Sequence, residues 1–236
     1  LNALCTLANV RVPEKGKGTI KEFTQLLQLR KLGVGGITET DSEEFWFAIG
    51  SLKHLRSLSV NWDVQNDHGL DCSLGGSLLP PRSLQSLKLG GRLVRLTEWI
   101  HQLQNLSRLL LVCTELQQDA IQAVGKLPNL AILGMEYDSF KGEELVLEQG
   151  PFRSLVRLEL IRMHHVAFVK FEDGAMPKLE LLRIDGWSDL QELSGLKYLT
   201  KLKEIRLNLF YSEKFNDNVQ DQLAEHPNSN VSVMRN

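Results

Sequence analysis

Residues 103–111 read LQNLSRLLL, and the leucine spacing of that stretch, LxxLxxLxL, returns along the whole chain. In its closing pair the leucines stand two apart, the period that puts both on one face of a β-strand. The leucines ahead of the pair close the approach from the preceding turn. One such strand cannot bury its apolar face alone, whereas stacked copies bury one another's.

Aligning the copies on the residue that opens each inward pair places anchors at Val10, Leu32, Leu58, Leu87, Leu109, Leu133, Leu158, Leu182, Ile205 and Val231, 22 to 29 residues apart. The second inward residue follows two positions later, at Val12, Val34, Val60, Leu89, Leu111, Met135, Leu160, Ile184, Leu207 and Val233. That interval is the ~20–29 residues of a leucine-rich repeat, one strand and one return path per copy. The sequence therefore predicts an α/β solenoid, a leucine-rich-repeat horseshoe with a parallel concave sheet and mixed short helices, strands and loops on the convex side. A single domain over residues 1–236 is expected, with about nine repeats and a helix–strand cap at 208–236. Leu4 and Leu7 already follow the inward pattern with no polar cap ahead of them, so the N-terminus is expected to be truncated from a longer chain.

Composition narrows the function classes. A net charge of −2 gives no bulk electrostatic reason to expect nucleic acid or a membrane surface as partner. No apolar run approaches the ~18 residues needed to span a bilayer. Cys5, Cys72 and Cys113 are an odd, scattered set, read as reduced thiols of an intracellular protein. The run DVQNDHGLDCSLGGSLLPPRS, residues 63–83, has the Gly, Asp, Asn and Pro-Pro content of a surface loop. Its Asp63, Asp67, His68, Asp71 and Cys72 match neither an EF-hand nor a zinc spacing, so no metal site is predicted. The GVGG at 33–36 lacks phosphate-loop spacing and reads as turn residues.

Local signals fill the return paths. Thr19 with Glu22, and Asp41 with Glu44, stand at capping-box spacing, the first ahead of a helix carrying Phe23, Leu26 and Leu27. A short helix is predicted over 120–124, and short convex strands in LVLEQGPF (145–152) and VAFVKFEDGAMP (166–177). His164 and His165, read as strand neighbours, would point to opposite faces and share neither a metal nor a proton. Asn216 or Asp217 is expected to cap a last helix through Ala224, with Pro227 ending it.

Three stretches carry more than architecture: RLTEWIHQLQNLSRLLL (95–111), LPNLAILGM with the following YDSFKGEELVLEQGPFRSLVRLEL (127–160), and FEDGAMPKLELLRI (171–184). Together they resemble the C-terminal leucine-rich repeats of plant coiled-coil nucleotide-binding disease-resistance proteins, with GAMPKL (174–179) and KLPNL (126–130) the most specific pieces. The resemblance implies the sensor and regulatory region of a cytoplasmic immune receptor whose nucleotide-binding switch lies upstream. ADP or ATP would belong to that upstream domain, and this chain would hold no cofactor. The partners it implies are proteins: a pathogen effector, a guarded host protein, or the receptor's own nucleotide-binding domain.

The residues between the inward leucines face the concave side of the sheet. Positions just before, between and just after each pair give Arg11, Lys31, Lys88, Arg108, Arg157, Arg183 and Arg206 against Glu136, Glu159, Asp185 and Glu204, seven bases to four acids. Trp62, Tyr137, Trp187, Phe210 and Tyr211 lie where strands leave that face. Arginine and aromatic residues anchor many protein interfaces. An acidic partner is therefore expected on Arg108, Arg157, Arg183, Arg206 and Lys88, flanked by Trp62, Tyr137 and Trp187. No catalytic set of nucleophile, base and orienting group stands out, so no enzyme is predicted. The competing reading is an intracellular scaffold or ubiquitin-ligase substrate adaptor using the same face, because fold alone does not separate the two.

Overall fold

The computed structural model describes residues 3–13, 17–62, 70–71, 81–96, 98–186, 189–208 and 211–235. In chain order the elements are β1 (Thr6–Arg11), α1 (Lys17–Phe23), β2 (Lys31–Ile37), α2 (Ser42–Ser51), β3 (Ser57–Trp62), β4 (Leu70–Asp71), β5 (Ser86–Gly90), β6 (Leu93–Arg95) and β7 (Arg108–Val112). They continue as α3 (Gln118–Gly125), β8 (Ile132–Glu136), β9 (Glu144–Leu147), β10 (Arg157–Ile161), β11 (Phe168–Phe171), β12 (Leu181–Asp185), β13 (Glu192–Ser194), β14 (Glu204–Leu207), α4 (Glu213–Ala224) and β15 (Ser232–Arg235). The chain forms two compact units, Leu1–Leu116 and Gln117–Asn236. In the first, β1, β2, β3, β5 and β7 lie side by side, all parallel. In the second, β8, β10, β12, β14 and β15 do the same.

Pairing follows the leucine alignment in the middle of each sheet. Leu32, Leu58, Leu87 and Leu109 are register partners in turn, as are Leu133, Leu158, Leu182 and Ile205. All eight are 2% exposed or less. The outermost strands depart from the expected register. Leu7 rather than Val10 pairs with Leu32, and Val10 pairs with Val34 after a bulge. At the other end Val233 rather than Val231 pairs with Ile205. An outer strand is held from one side only, so its apolar pattern fixes its alignment less strictly.

The LxxL ahead of each strand is a turn. Leu29, Leu55, Leu84, Leu106, Leu155, Leu179 and Leu202 each donate their N–H to the carbonyl three residues back, at 2.8 to 3.1 Å. That bond brings residues three apart to the same side, which is why both apolar positions are buried. Each strand then begins with two consecutive N–H groups donating to one carbonyl of the preceding repeat. Arg56 and Ser57 share Arg30 O, Ser107 and Arg108 share Gln85 O, and Glu180 and Leu181 share Val156 O.

The return paths differ between the units. Helices α1 and α2 back β2 and β3, burying Ile20, Phe23, Phe45, Trp46 and Ile49. Neither cap forms as predicted: α1 starts ahead of Thr19, and Leu27 beyond its end is 57% exposed. Asp41 turns its carboxylate away from α2 to accept from the Thr38 backbone N–H (3.2 Å) and hydroxyl (2.6 Å). The second unit instead carries a three-stranded parallel sheet behind its face, ordered β13-β11-β9, where extended segments at 145–152 and 166–177 were expected. Helices close both of its edges through side-chain amides. Gln118 of α3 accepts from Val146 N–H (3.3 Å) and donates to Val146 O, which also accepts from Gln122 (3.2 Å). Asn218 and Gln222 of α4 accept from Leu193 N–H (3.0 Å) and Gly195 N–H (2.9 Å). Ser212 caps α4, accepting from Phe215 N–H at 3.2 Å, four residues earlier than the predicted Asn216.

His164 and His165 sit in a turn rather than a strand, and both are exposed. Residues 63–69 and 72–80 of the predicted surface loop lie outside the described residues; β4 within it pairs with β6.

Candidate partner-binding face

In the first unit the face is built from small side chains with cations at its margins. Register places Lys31, Ser57, Ser86 and Arg108 in one row across β2, β3, β5 and β7, and Gly33, Ser59, Lys88 and Leu110 in the next. Gly35, Asn61, Gly90 and Val112 form a third. The Asn61 amide lies over Gly90, where an added Cβ would stand 2.9 Å from its oxygen. Above the glycines and serines of β2 and β3 the surface sinks into an open depression of about 470 Å³, lined by Thr6, Arg11, Lys31, Gly33, Ser59 and Asn61 among others.

In the second unit charges fill the equivalent rows and meet one another. Arg157 Nε lies 3.2 Å from Glu159 Oε1, an ionic contact without a directed hydrogen bond. Arg183 donates to Asp185 at 2.8 Å, and Arg206 Nε to Glu204. Each pair spans two positions of one strand, the separation that returns both side chains to the same face. Register also sets Glu159 beside Arg183 and Arg183 beside Arg206, so two arginines stand on adjacent strands, one turned to the acid after it and the other to the acid before it. Burial by itself would raise the Asp185 carboxyl, but hydrogen bonds from Asn208 (2.9 Å) and Arg183, with the charges of Arg183 and Arg162 behind them, hold it below the ordinary carboxylate range. The hydrogen bond to Glu204 raises Arg206 further above its already high range.

At the rim, strands leave the face through left-handed residues. Cys113 (φ 55°), Tyr137 (φ 52°), Arg162 (φ 53°) and Gly186 (φ 79°) follow β7, β8, β10 and β12. Asp138 is left-handed as well, and the Ser139 hydroxyl bonds both N–H and C=O of Glu136, closing a small loop around the pair. Arg162 places its guanidinium 5.1 Å from the Tyr137 ring centre and donates to the Tyr137 hydroxyl at 3.2 Å. The aliphatic stem of Arg162 lies over Gly186, whose missing Cβ would stand 2.8 Å from it.

The residues expected to form one binding surface therefore divide. Lys88 and Arg108 belong to the first unit and make no ion pair among the described residues. Arg157, Arg183 and Arg206 belong to the second, each bound to a carboxylate, and Tyr137 stands at its rim, 43% exposed. The Trp62 side chain, Trp187 and Phe210 lie outside the described residues. Tyr211 is core: it packs on Phe215 with ring centres 4.7 Å apart and is 8% exposed. Burial, then the Asp185 charge, raises its hydroxyl far above the ordinary range. Sequence reasoning missed Arg162, one position beyond the scanned rows, and Asn208, which stands just after an inward pair but carries no charge. Their contacts reveal them: Asn208 donates to Asp185, and Arg162 to Tyr137. No cluster of three or more His, Cys, Asp or Glu arranged to hold a metal occurs among the described residues. No helix there is long and apolar enough to cross a membrane.

A parallel sheet laid down one strand per repeat, with an LxxL turn before each strand and a polar outer face, defines a leucine-rich-repeat protein, and the chain belongs to the leucine-rich repeat region family, which matches residues 1–231. Its relatives are plant disease resistance proteins. Disease resistance protein RPM1 of Arabidopsis thaliana is 29% identical over 217 residues, covering 92% of this chain and 22% of that protein. Disease resistance protein Pik-2 of Oryza sativa subsp. japonica is 24% identical over 231 residues, covering 89% and 22%. The probable disease resistance protein RF45 of Arabidopsis thaliana is 28% identical over 198 residues, covering 83% and 19%. The chain thus spans about a fifth of the length of these relatives. Among solved structures, Listeria monocytogenes InlP shares the fold, with a TM-score of 0.54 at 13% identity over 99% of this chain and 61% of that one.

Proposed function

We propose that this chain is the repeat region of an intracellular plant immune receptor, recognising a pathogen effector directly or through a guarded host protein and restraining an upstream nucleotide-binding switch. The observation that carries this reading is the similarity to disease resistance proteins across about nine-tenths of the chain. The structure supports it with a polar sheet face whose outward side chains are half-buried to exposed while the leucines between them pack inward. Nucleotide would sit in the upstream domain, and the work of these repeats would be binding alone.

Sequencing the transcript upstream of residue 1 tests the reading. A strand, a GxxxxGK[ST] loop and a helix encoded there are the expected result. An F-box-like helical segment in that place would overturn it in favour of a ubiquitin-ligase adaptor.

A further inference from the structure

We infer that the first unit's sheet face, and not the second's, is the docking site for an acidic protein segment in extended form, held by Lys31, Lys88 and Arg108. This rests on reading the sheet face as a partner-binding surface.

Charge complementarity carries the assignment. Across the facing rows of β2, β3, β5 and β7 stand three cations, Lys31, Lys88 and Arg108, and no carboxylate. None of the three has an ionic partner among the described residues. In the second unit the same rows of β8, β10, β12 and β14 hold three arginines and four acids, and every arginine is engaged by an acid two residues away. An incoming carboxylate there would have to displace a neighbour already in place. In the first unit it would meet cations that make no ion pair among the described residues.

Shape agrees with charge. Lys88 and Arg108 are diagonal neighbours on adjacent strands, while Lys31 lies three strands from Arg108, roughly 14 Å at the usual strand spacing. Between them Gly33, Ser57, Ser59 and Asn61 form a low floor with hydroxyl and amide groups able to bond a peptide backbone. Acidic residues about four apart on an extended segment span that distance, at ~3.3 Å per residue. The whole units are biased in the same sense: thirteen Lys and Arg against eleven Asp and Glu in the first, fourteen against eighteen in the second.

The test uses the full chain and a fluorescein-labelled dodecapeptide of glutamate and serine, followed by fluorescence anisotropy at low and at physiological salt. The double substitution Lys88→Glu with Arg108→Glu is expected to weaken binding at least tenfold, and Lys88→Gln with Arg108→Gln to weaken it by a smaller factor. Arg157→Gln with Arg183→Gln should leave it within twofold. Equal losses from the two sites, or a greater loss from the second, would overturn the assignment, as would a single-stranded oligonucleotide of equal charge that binds more tightly than the peptide. If the upstream transcript encodes an adaptor while the peptide results hold, the receptor reading fails and the docking site stands. The converse pair of results removes the docking site and leaves the receptor reading intact.

Discussion

The two units share a frame and differ in what they place on it. Lys88 and Arg108 project from the first face with no acid in their rows, whereas Arg157, Arg183 and Arg206 are each tied to a carboxylate on their own strand. A count of charges treats these five side chains alike. Their availability to a partner differs, because an arginine already neutralised gives up one contact to make another. The difference teaches that on a repeat surface the useful quantity is unpaired charge per row.

That comparison can be broken at several levels. The largest effects belong to the shared frame. Leu109→Ala in β7 and Leu133→Ala in β8 each remove a fully buried anchor and are expected to cost about 2–5 kcal/mol in urea denaturation. Similar losses would show that the frame is indifferent to the charge above it. A loss below about 1 kcal/mol in either would mean that one sheet lacks the packing described. Next comes Gly195→Ala behind the second face. Gly195 is left-handed (φ 79°), and an added Cβ would stand 2.0 Å from the Phe171 carbonyl oxygen. Backbone strain alone should cost about 1–3 kcal/mol, read by thermal unfolding.

The charge pairing should appear in pH dependence. Asp185 has a folded pKa below its ordinary 3.8, so its stabilisation is present above that value and is lost as pH falls through the folded pKa. Asp185→Asn should cost about 1 kcal/mol at pH 7, shrinking towards zero in acid. A cost that is independent of pH would assign the loss to shape rather than charge. Smallest are the cations themselves. Arg157→Gln with Arg183→Gln should destabilise by about 0.2–1 kcal/mol per pair lost, while Lys88→Gln with Arg108→Gln should fall within about 0.5 kcal/mol of wild type. Equal costs at the two faces would erase the distinction between paired and unpaired cations.

The leucine phrase made the frame legible, because in each unit a four-strand register with inward residues two apart leaves few other ways to bury Leu58, Leu87, Leu158 and Leu182. It failed at β1 and β15, where a strand held from one side tolerates a bulge or a shift by two. The caps at Thr19 and Asn216 were misplaced, and Asp41, which does stand at the N-cap of α2, makes no cap hydrogen bond, because spacing shows only which side chains could reach an N–H and Asp41 found a nearer donor in Thr38. Of the candidate site, the facing positions were legible from period two. Their pairing was not. Glu204 and Arg206 read as an acid and a base on one face, and only the structure shows that they touch. Arg162 was invisible because its importance comes from a left-handed strand end that sets it over Gly186 and against Tyr137.

The side-chain amides that seal the small rear sheet have a bearing on self-association. A three-stranded parallel sheet ordinarily offers two open edges on which another chain can polymerise. Here Gln118 occupies both hydrogen-bonding groups of Val146 at one edge, and Asn218 with Gln222 takes the N–H groups of Leu193 and Gly195 at the other. Glutamine and asparagine act as single-residue imitations of a neighbouring strand, and the edge groups they occupy are closed to a strand from another chain.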